Sequence, residues 1–545
     1  MRDMMHDDMA QRGGLSRRTM FKVAAGGAAA TVLSVAGAPC QSLAQGTPVA
    51  TPGGQITLAW GRYPLTLNPL NPIGGIERTV WQLTSARLIN KDVNGNIIPD
   101  FAESYEISPD GLTYTFKLVT GAVWSDGTPV TARDVEFTYT RAVSPESGEY
   151  GASANLAVIE GVADYLSGAA SSVSGIKVID DATFQIVLSQ PDASMLNIIA
   201  GYFGPYLIPA HILESIPVAE FANSDYNANP AGRVGMGPYL LSEAEKDQFL
   251  VFTRNDTYFR GKALIDQFNV RVMQPDVALA ALLSSEVDVA NIPATQYSAM
   301  QEEENVRLVT YPTHLWNGLM FNMTKEDLTD PRIHQAVVHA LDRQTFVDRI
   351  LGGLAEPWDS IFGFEQWVSP NIVHYEYDPE KAKALLAEAG WDSDRVVEWK
   401  YYGPFRELAP VLQQSLADIG FKINPVELET AAWVDAQMAG DFEFSVVGGG
   451  GMIDDPSELL NNFKCDVWSR YCNQEVLDLF EQGRTTVDPT ARKAIYDQIQ
   501  EIINRDLPWF PLYSSIAAVG FNPRVNAVAY SSYDFLFYHQ WSVTA

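Results

Sequence analysis

The sequence predicts an α/β protein built as two large lobes. Three observations lead there. The chain has 545 residues, about twice the length at which a single hydrophobic core stops growing. Strand-like segments at 315–322, 397–402, 421–428 and 443–447 alternate with amphipathic helical segments, the order expected of an α/β lobe. The composition, 46% hydrophobic and 19% charged, is that of a soluble globular chain.

The elements follow in chain order. Gln45 to Gly54 is rich in Pro, Gly, Thr and Ala and reads as a flexible leader, after which Ile56–Trp60 begins the fold as a strand. Tyr114, Phe116 and Leu118 alternate with polar neighbours, the period-two signature of a half-buried strand. Asp110-Gly111 and Asp126-Gly127 bracket it as turns. Thr131, with Asp134 three residues on, starts a helix over 132–142. Asp330-Pro331 and Asp378-Pro379 each place a capping carboxylate before a proline at the first helical position. Gly390 closes the second of these helices. Leu412, Leu416 and Ile419 form the stripe of a helix over 406–419. Ile495, Ile499 and Ile502 form another, ended by Pro508. No internal repeat is evident.

Charge and targeting signals narrow the class. A net charge of −30 opposes nucleic-acid binding, which needs a basic face. Ser16-Arg17-Arg18-Thr19-Met20-Phe21-Lys22, then an apolar stretch from Val23 to Val35, reads as a twin-arginine export signal. That stretch is too short to span a membrane. Ser42-Leu43-Ala44 supplies small residues for cleavage, so residues 1–44 are expected to be a signal peptide and 45–54 a leader. Cys40 lacks the residues of a lipid-anchor motif at Gly37 and Pro39. Cys465 and Cys472 remain in the mature chain, where an oxidising compartment makes a local disulfide plausible. A periplasmic or extracellular location follows.

No catalytic constellation emerges: there is no Gly-x-Ser-x-Gly elbow, phosphate loop or His-Glu-x-x-His. The glycine run 448–451 lacks the Lys-Ser/Thr of a nucleotide loop, and the seven His are not spaced for a metal. His334 and His339 read as structural. The expectation is a binding protein, not an enzyme, with no cofactor and no metal. A secreted hydrolase is the rival class, and it lacks paired carboxylates or a nucleophile–base pair in motif form.

Four stretches carry a family resemblance. They are Asp110–Leu118 continuing through Trp124–Val135; Gly235-Met236-Gly237-Pro238-Tyr239 with Arg254–Phe259; Leu282–Val289 with Asp330–Ala336; and Tyr377–Ala382 running to Ala389-Gly390-Trp391. Together they resemble the dipeptide-, oligopeptide- and nickel-binding proteins of ABC importers. The resemblance implies a two-lobed periplasmic-binding-protein fold of the large cluster. An extra subdomain and a hinge of two crossing strands belong to it. Mapped here, the first lobe covers 55–312 plus 512–545, with the extra subdomain at about 80–232, and the second lobe covers 313–511. It also implies a monomer that captures a small solute by hinge closure and hands it to the membrane subunits of an ABC permease. A peptide is favoured; an oligosaccharide, an opine-like compound or another metabolite is the alternative.

Ligand contacts in that family come from four places. Here they correspond to Arg62 and Tyr63 after the first strand, Trp316 and Asn317 at entry to the second lobe, Tyr401, Tyr402 and Arg406, and the loop holding Gly450 and Asp454. Each has a plain alternative: a solvated arginine, a core aromatic, or a helix cap. The resemblance gives Arg406 the role of a carboxylate clamp, for which a planar guanidinium suits. It also exposes a departure. Where peptide binders place an amine-binding Asp, this chain has Met452, while Asp454 and Asp455 stand just before Pro456. The glycine run would admit a bulky or polyhydroxylated ligand close to the backbone.

Overall fold

In the computed structural model, the described residues are 53–70, 74–147, 153–201, 204–228, 232–450, 454–527 and 537–544. The export signal, Cys40 and Met452 lie outside them. A central sheet of eleven strands organises the molecule. In chain order these are β1 (Gln55–Trp60), β2 (Tyr239–Glu245), β3 (Phe249–Arg254), β4 (Gln267–Val272), β5 (Val289–Asn291), β6 (Arg307–Phe321), β7 (Ala355–Pro357), β8 (Val396–Tyr402), β9 (Lys422–Leu428), β10 (Phe444–Gly449) and β11 (Trp509–Phe521). Their spatial order is β9-β8-β10-β6-β11-β5-β1-β4-β3-β2, with β7 beside β11.

Two strands serve both lobes. β6 has 15 residues and β11 has 13, long enough at about 3.4 Å per residue to run from one lobe into the other. They pair antiparallel, Arg307 to Pro312 against Phe521 to Ile516, then Trp316 to Met320 against Ser514 to Trp509. The register breaks between Pro312 and Trp316. His314 lies in that break with φ +59°, a left-handed conformation rare outside glycine. These are the two crossing strands, and the break marks where the sheet turns from one lobe to the other.

Each side buries its own apolar set. The first lobe closes around Ile56, Leu58, Tyr239, Phe252, Phe268, Val519 and Trp541. The second closes around Leu319, Phe321, Val337, Leu386, Trp399, Leu412 and Phe444. A third core, with Phe116, Trp124, Tyr139 and Phe184, belongs to a separate four-stranded sheet inserted between β1 and β2.

The local signals form where the side-chain chemistry places them. Thr131 and Asp134 make a reciprocal capping box on Ala132–Ala142. Asp330 and Asp378 accept hydrogen bonds from Arg332 N and Lys381 N at the starts of Pro331–His339 and Pro379–Ala389, and Gly390 ends the latter at φ +70°. One boundary shifts: the helix expected over 406–419 spans Leu408–Asp418, because Gly403–Phe405 first form a separate 3-10 turn.

Candidate functional site

A cavity of ≈ 360 Å³ opens at the carboxyl ends of β1 and β5, where α/β sheets ordinarily hold their ligands. Trp60, Arg62, Asn291, Tyr311, Thr313 and Leu315 line it from the strands and hinge, and Tyr538 and Trp541 close one wall. The helix Gly75–Thr84 lines the rest with Gly75, Arg78, Thr79 and Gln82. Those four fall at i, i+3, i+4 and i+7, one face of a helix. Gln82 is only 7% exposed, and its Oε1 has no hydrogen-bond partner. A buried amide left unpaired costs free energy until a ligand or water satisfies it.

Arg62 is pre-positioned by a carboxylate. Its Nη1 and Nη2 lie 2.6 and 3.0 Å from Glu77 Oε1 and Oε2. Glu77 Oε1 also accepts the Leu65 N–H at 2.7 Å. Burial pushes the Glu77 carboxyl up, but the Arg62 and Leu65 hydrogen bonds outweigh it and hold its pKa below the ordinary value. Glu77 is 0% exposed, so the guanidinium is anchored from behind. Tyr63, by contrast, packs half-buried against the first-lobe core and is absent from the cavity wall.

Trp316 is a core residue. It is 1% exposed, donates its indole N–H to Ile361 O at 2.7 Å, and meets Trp509 edge-on. Gly449 lies against its indole so closely that a Cβ there would sit 2.8 Å from Trp316 Cζ2. Asn317 ties the two crossing strands together, donating from Nδ2 to Ser515 Oγ at 3.1 Å.

Strand alternation sends Tyr401 and Tyr402 to opposite faces. Tyr401 stacks on Trp399 at 4.5 Å and is nearly buried. Tyr402 packs on Trp433 at 4.5 Å and on Phe405. Arg406 is 67% exposed, and Glu427 already holds it, 3.0 and 3.3 Å from Nε to the two carboxylate oxygens. Gly450 has φ +79°, and a Cβ there would approach Gly363 and His314 O to 2.9 Å. Its lack of a side chain thus serves the backbone crossing at the hinge.

Asp454 is 8% exposed and has φ +56°. Its Oδ1 accepts from Gln366 Nε2 at 2.8 Å, and its Oδ2 faces Lys91 Nζ at 3.4 Å. Burial, with Asp455 next to it, pushes its pKa up to about 6 against the opposing pull of Lys91. Asp455 is the helix cap: it accepts Ser457 N and clasps Arg492 at 2.8 and 2.7 Å. Cys465 and Cys472 are joined as a disulfide. Arg470, inside that loop, donates to Gln437 O and Met438 O and so caps the helix Thr430–Ala439.

The structure therefore gathers Arg62 at the cavity with residues the sequence reading did not single out: Trp60, Arg78, Gln82, Asn291 and Tyr311. The stripe on Gly75–Thr84 was the available signal. Tyr63, Trp316, Asn317, Tyr401, Tyr402, Arg406, Gly450 and Asp454 are not on the wall of this cavity.

Two α/β lobes sharing two continuous strands, with a cavity at the sheet's carboxyl ends beside the hinge, define a ligand receptor of the periplasmic-binding class. The chain belongs to the bacterial extracellular solute-binding proteins, family 5, whose middle region matches residues 96–470. A putative ABC transporter peptide-binding protein of Brucella ovis is 29% identical over 492 residues, covering 86% of this chain and 89% of that one. The dipeptide-binding protein of Escherichia coli is 26% identical over 469 residues, covering 80% and 85%. The ABC transporter substrate-binding protein CtaP of Listeria monocytogenes superposes with a TM-score of 0.78 at 25% identity, covering 91% of this chain and all of that one. Binding, not turnover, is the work of this family.

Proposed function

We propose that the chain is the substrate-binding component of an ABC import system and that its solute is a short peptide. The observation that carries this is the cavity beside the hinge. Its size, ≈ 360 Å³, lies near the lower end of small-molecule sites, and its walls combine aromatic faces with amides. Relatives named for peptides and dipeptides support the class of ligand. Ligand contacts to both lobes would shift the open–closed equilibrium toward closed. Of the sequence-selected residues, Arg62 lines the cavity, and Asn317 and Gly450, at the hinge, are kept as candidates for contact with a bound ligand. Arg406 joins them if a ligand carboxylate displaces Glu427, an exchange that costs little for an exposed ion pair.

We take the lobe boundaries at 312/313 and 511/512, with the insertion at about 80–232. Export uses the twin-arginine route through Arg17-Arg18, and the mature protein acts as a monomer with its permease. A second reading is a neutral ligand such as an oligosaccharide. The engagement of Arg406 by Glu427 and of Asp454 by Lys91 favours it, because both charges that could anchor the termini of a peptide already have partners. Calorimetric titration of ligand-stripped protein with trialanine and with a trisaccharide separates the two: heat from trialanine alone supports the first reading, and heat from the sugar alone replaces it with the second.

A further inference from the structure

The cleft is bridged by polar contacts that stand away from the cavity. One set joins the strand Ile89–Lys91 and the helix Met195–Ala200, both in the inserted region, to the loop after β10. Lys91 Nζ faces Asp454 Oδ2 at 3.4 Å, and Asn197 Nδ2 reaches Asp455 Oδ2 at 3.4 Å. A second set joins Asp192 to the helix Gln474–Thr485. Arg484 Nη1 donates to Asp192 Oδ2 at 3.1 Å, and Ala193 N donates to Arg484 O at 3.0 Å. None of these residues lines the cavity.

The charges are well buried. The side chains of Lys91, Asp454 and Asp192 are 5, 8 and 4% exposed, and that of Arg484 is 19% exposed. The chain crosses between the lobes only far from these contacts in sequence, so when the lobes separate each group returns to water. Ion pairs of this kind have two consequences. Removing one partner strands a charge in the closed form, whereas replacing both by apolar groups of similar volume restores closure.

We propose that the Lys91–Asp454 and Asp192–Arg484 pairs form an ionic latch that sets the closed population of the receptor without touching its ligand. The latch rests on the reading that solute is captured by closure. It determines how tightly any solute is held, while the cavity wall determines which solute is chosen. Asp454 thereby acts between the lobes, and its strained backbone serves to turn its carboxylate toward Lys91 and Gln366.

The test is a distance measurement. Spin labels on cysteines introduced at the exposed positions Asp181 and Glu388 report lobe separation by pulsed dipolar spectroscopy, at pH 7.5, with and without 1 mM trialanine. Lys91→Met, which leaves the Asp454 carboxylate buried without its facing ammonium, should lower the closed-to-open ratio by about tenfold or more, and adding Asp454→Leu to that variant should reverse the loss. The double variant should return to within about threefold of the parent, since it buries no lone charge. Arg484→Met should act like Lys91→Met. Equal closed populations in the parent and Lys91→Met overturn the latch. So does a double variant no more closed than Lys91→Met, and so does a parent with no closed population in either condition. If trialanine leaves the parent unchanged while the variants differ as stated, the latch stands and only the peptide assignment fails.

Discussion

Lys91, in the region inserted between β1 and β2, and Asp454, in the loop after β10, are 363 residues apart in sequence, yet Nζ and Oδ2 lie 3.4 Å from one another. Asp454 carries its proton more readily in this closed arrangement, with a pKa pushed up to about 6 chiefly by burial. Exposed in an open form, it would titrate near the ordinary carboxylate value of about 3.9.

Closure therefore takes up a proton. Its favourable contribution is complete below about pH 4 and is lost as pH rises through about 6. Solute affinity should rise by up to about tenfold between pH 7.5 and pH 5, and Asp454→Asn should flatten the profile. His314, which also stands near Lys91, does not enter the window, because burial pushes its pKa down to about 4. An unchanged slope in Asp454→Asn assigns the dependence to another group.

Arg406 and Glu427 form an exposed pair at the end of β8. If a ligand carboxylate displaces Glu427, Arg406→Ala should weaken trialanine binding roughly tenfold or more. Glu427→Gln should strengthen it by a few-fold, and Arg406→Lys should recover only part of the loss. Binding of Arg406→Ala equal to that of the parent reduces the residue to a surface partner of Glu427.

The disulfide closes a short loop around Arg470, whose guanidinium caps the helix Thr430–Ala439. Thiol titration of unfolded, unreduced mature protein should find no free thiol. Replacing both cysteines by alanine should cost about 2 kcal/mol in chemical denaturation. Two free thiols in the parent would contradict the oxidised pair.

Local chemistry made much of the fold legible. Thr131, Asp134, Asp330, Asp378 and Gly390 act on neighbours three or four residues away, so their roles could be read from spacing alone. The site was less legible, because its geometry depends on contacts between distant segments. Trp316 sits at the mouth of the second lobe in sequence, but Gly449 on the adjacent strand leaves room for its indole only inside the core. Asp454 looks like a ligand group or a cap until Lys91 arrives from the inserted region. Arg78 and Gln82 stand three and seven residues after Gly75, a spacing that fits one face of a helix, yet nothing local says that such a face meets β1 and β5.

Export offers an independent check on the location. Replacing Arg17 and Arg18 with Lys should leave precursor in the cytoplasm. Normal export of that variant, or export of the parent in cells that keep only the general secretion route, contradicts the twin-arginine assignment.

Capture of one small solute between the lobes can be read out by native mass spectrometry of the purified mature chain. The expected spectrum is a one-to-one complex that releases a short peptide on denaturation. Refolded, stripped protein should then rebind that compound with lobe closure. A released sugar or opine-like compound keeps the receptor and overturns the peptide. A chain that carries no solute and gives no calorimetric signal with peptides or oligosaccharides contradicts solute capture itself.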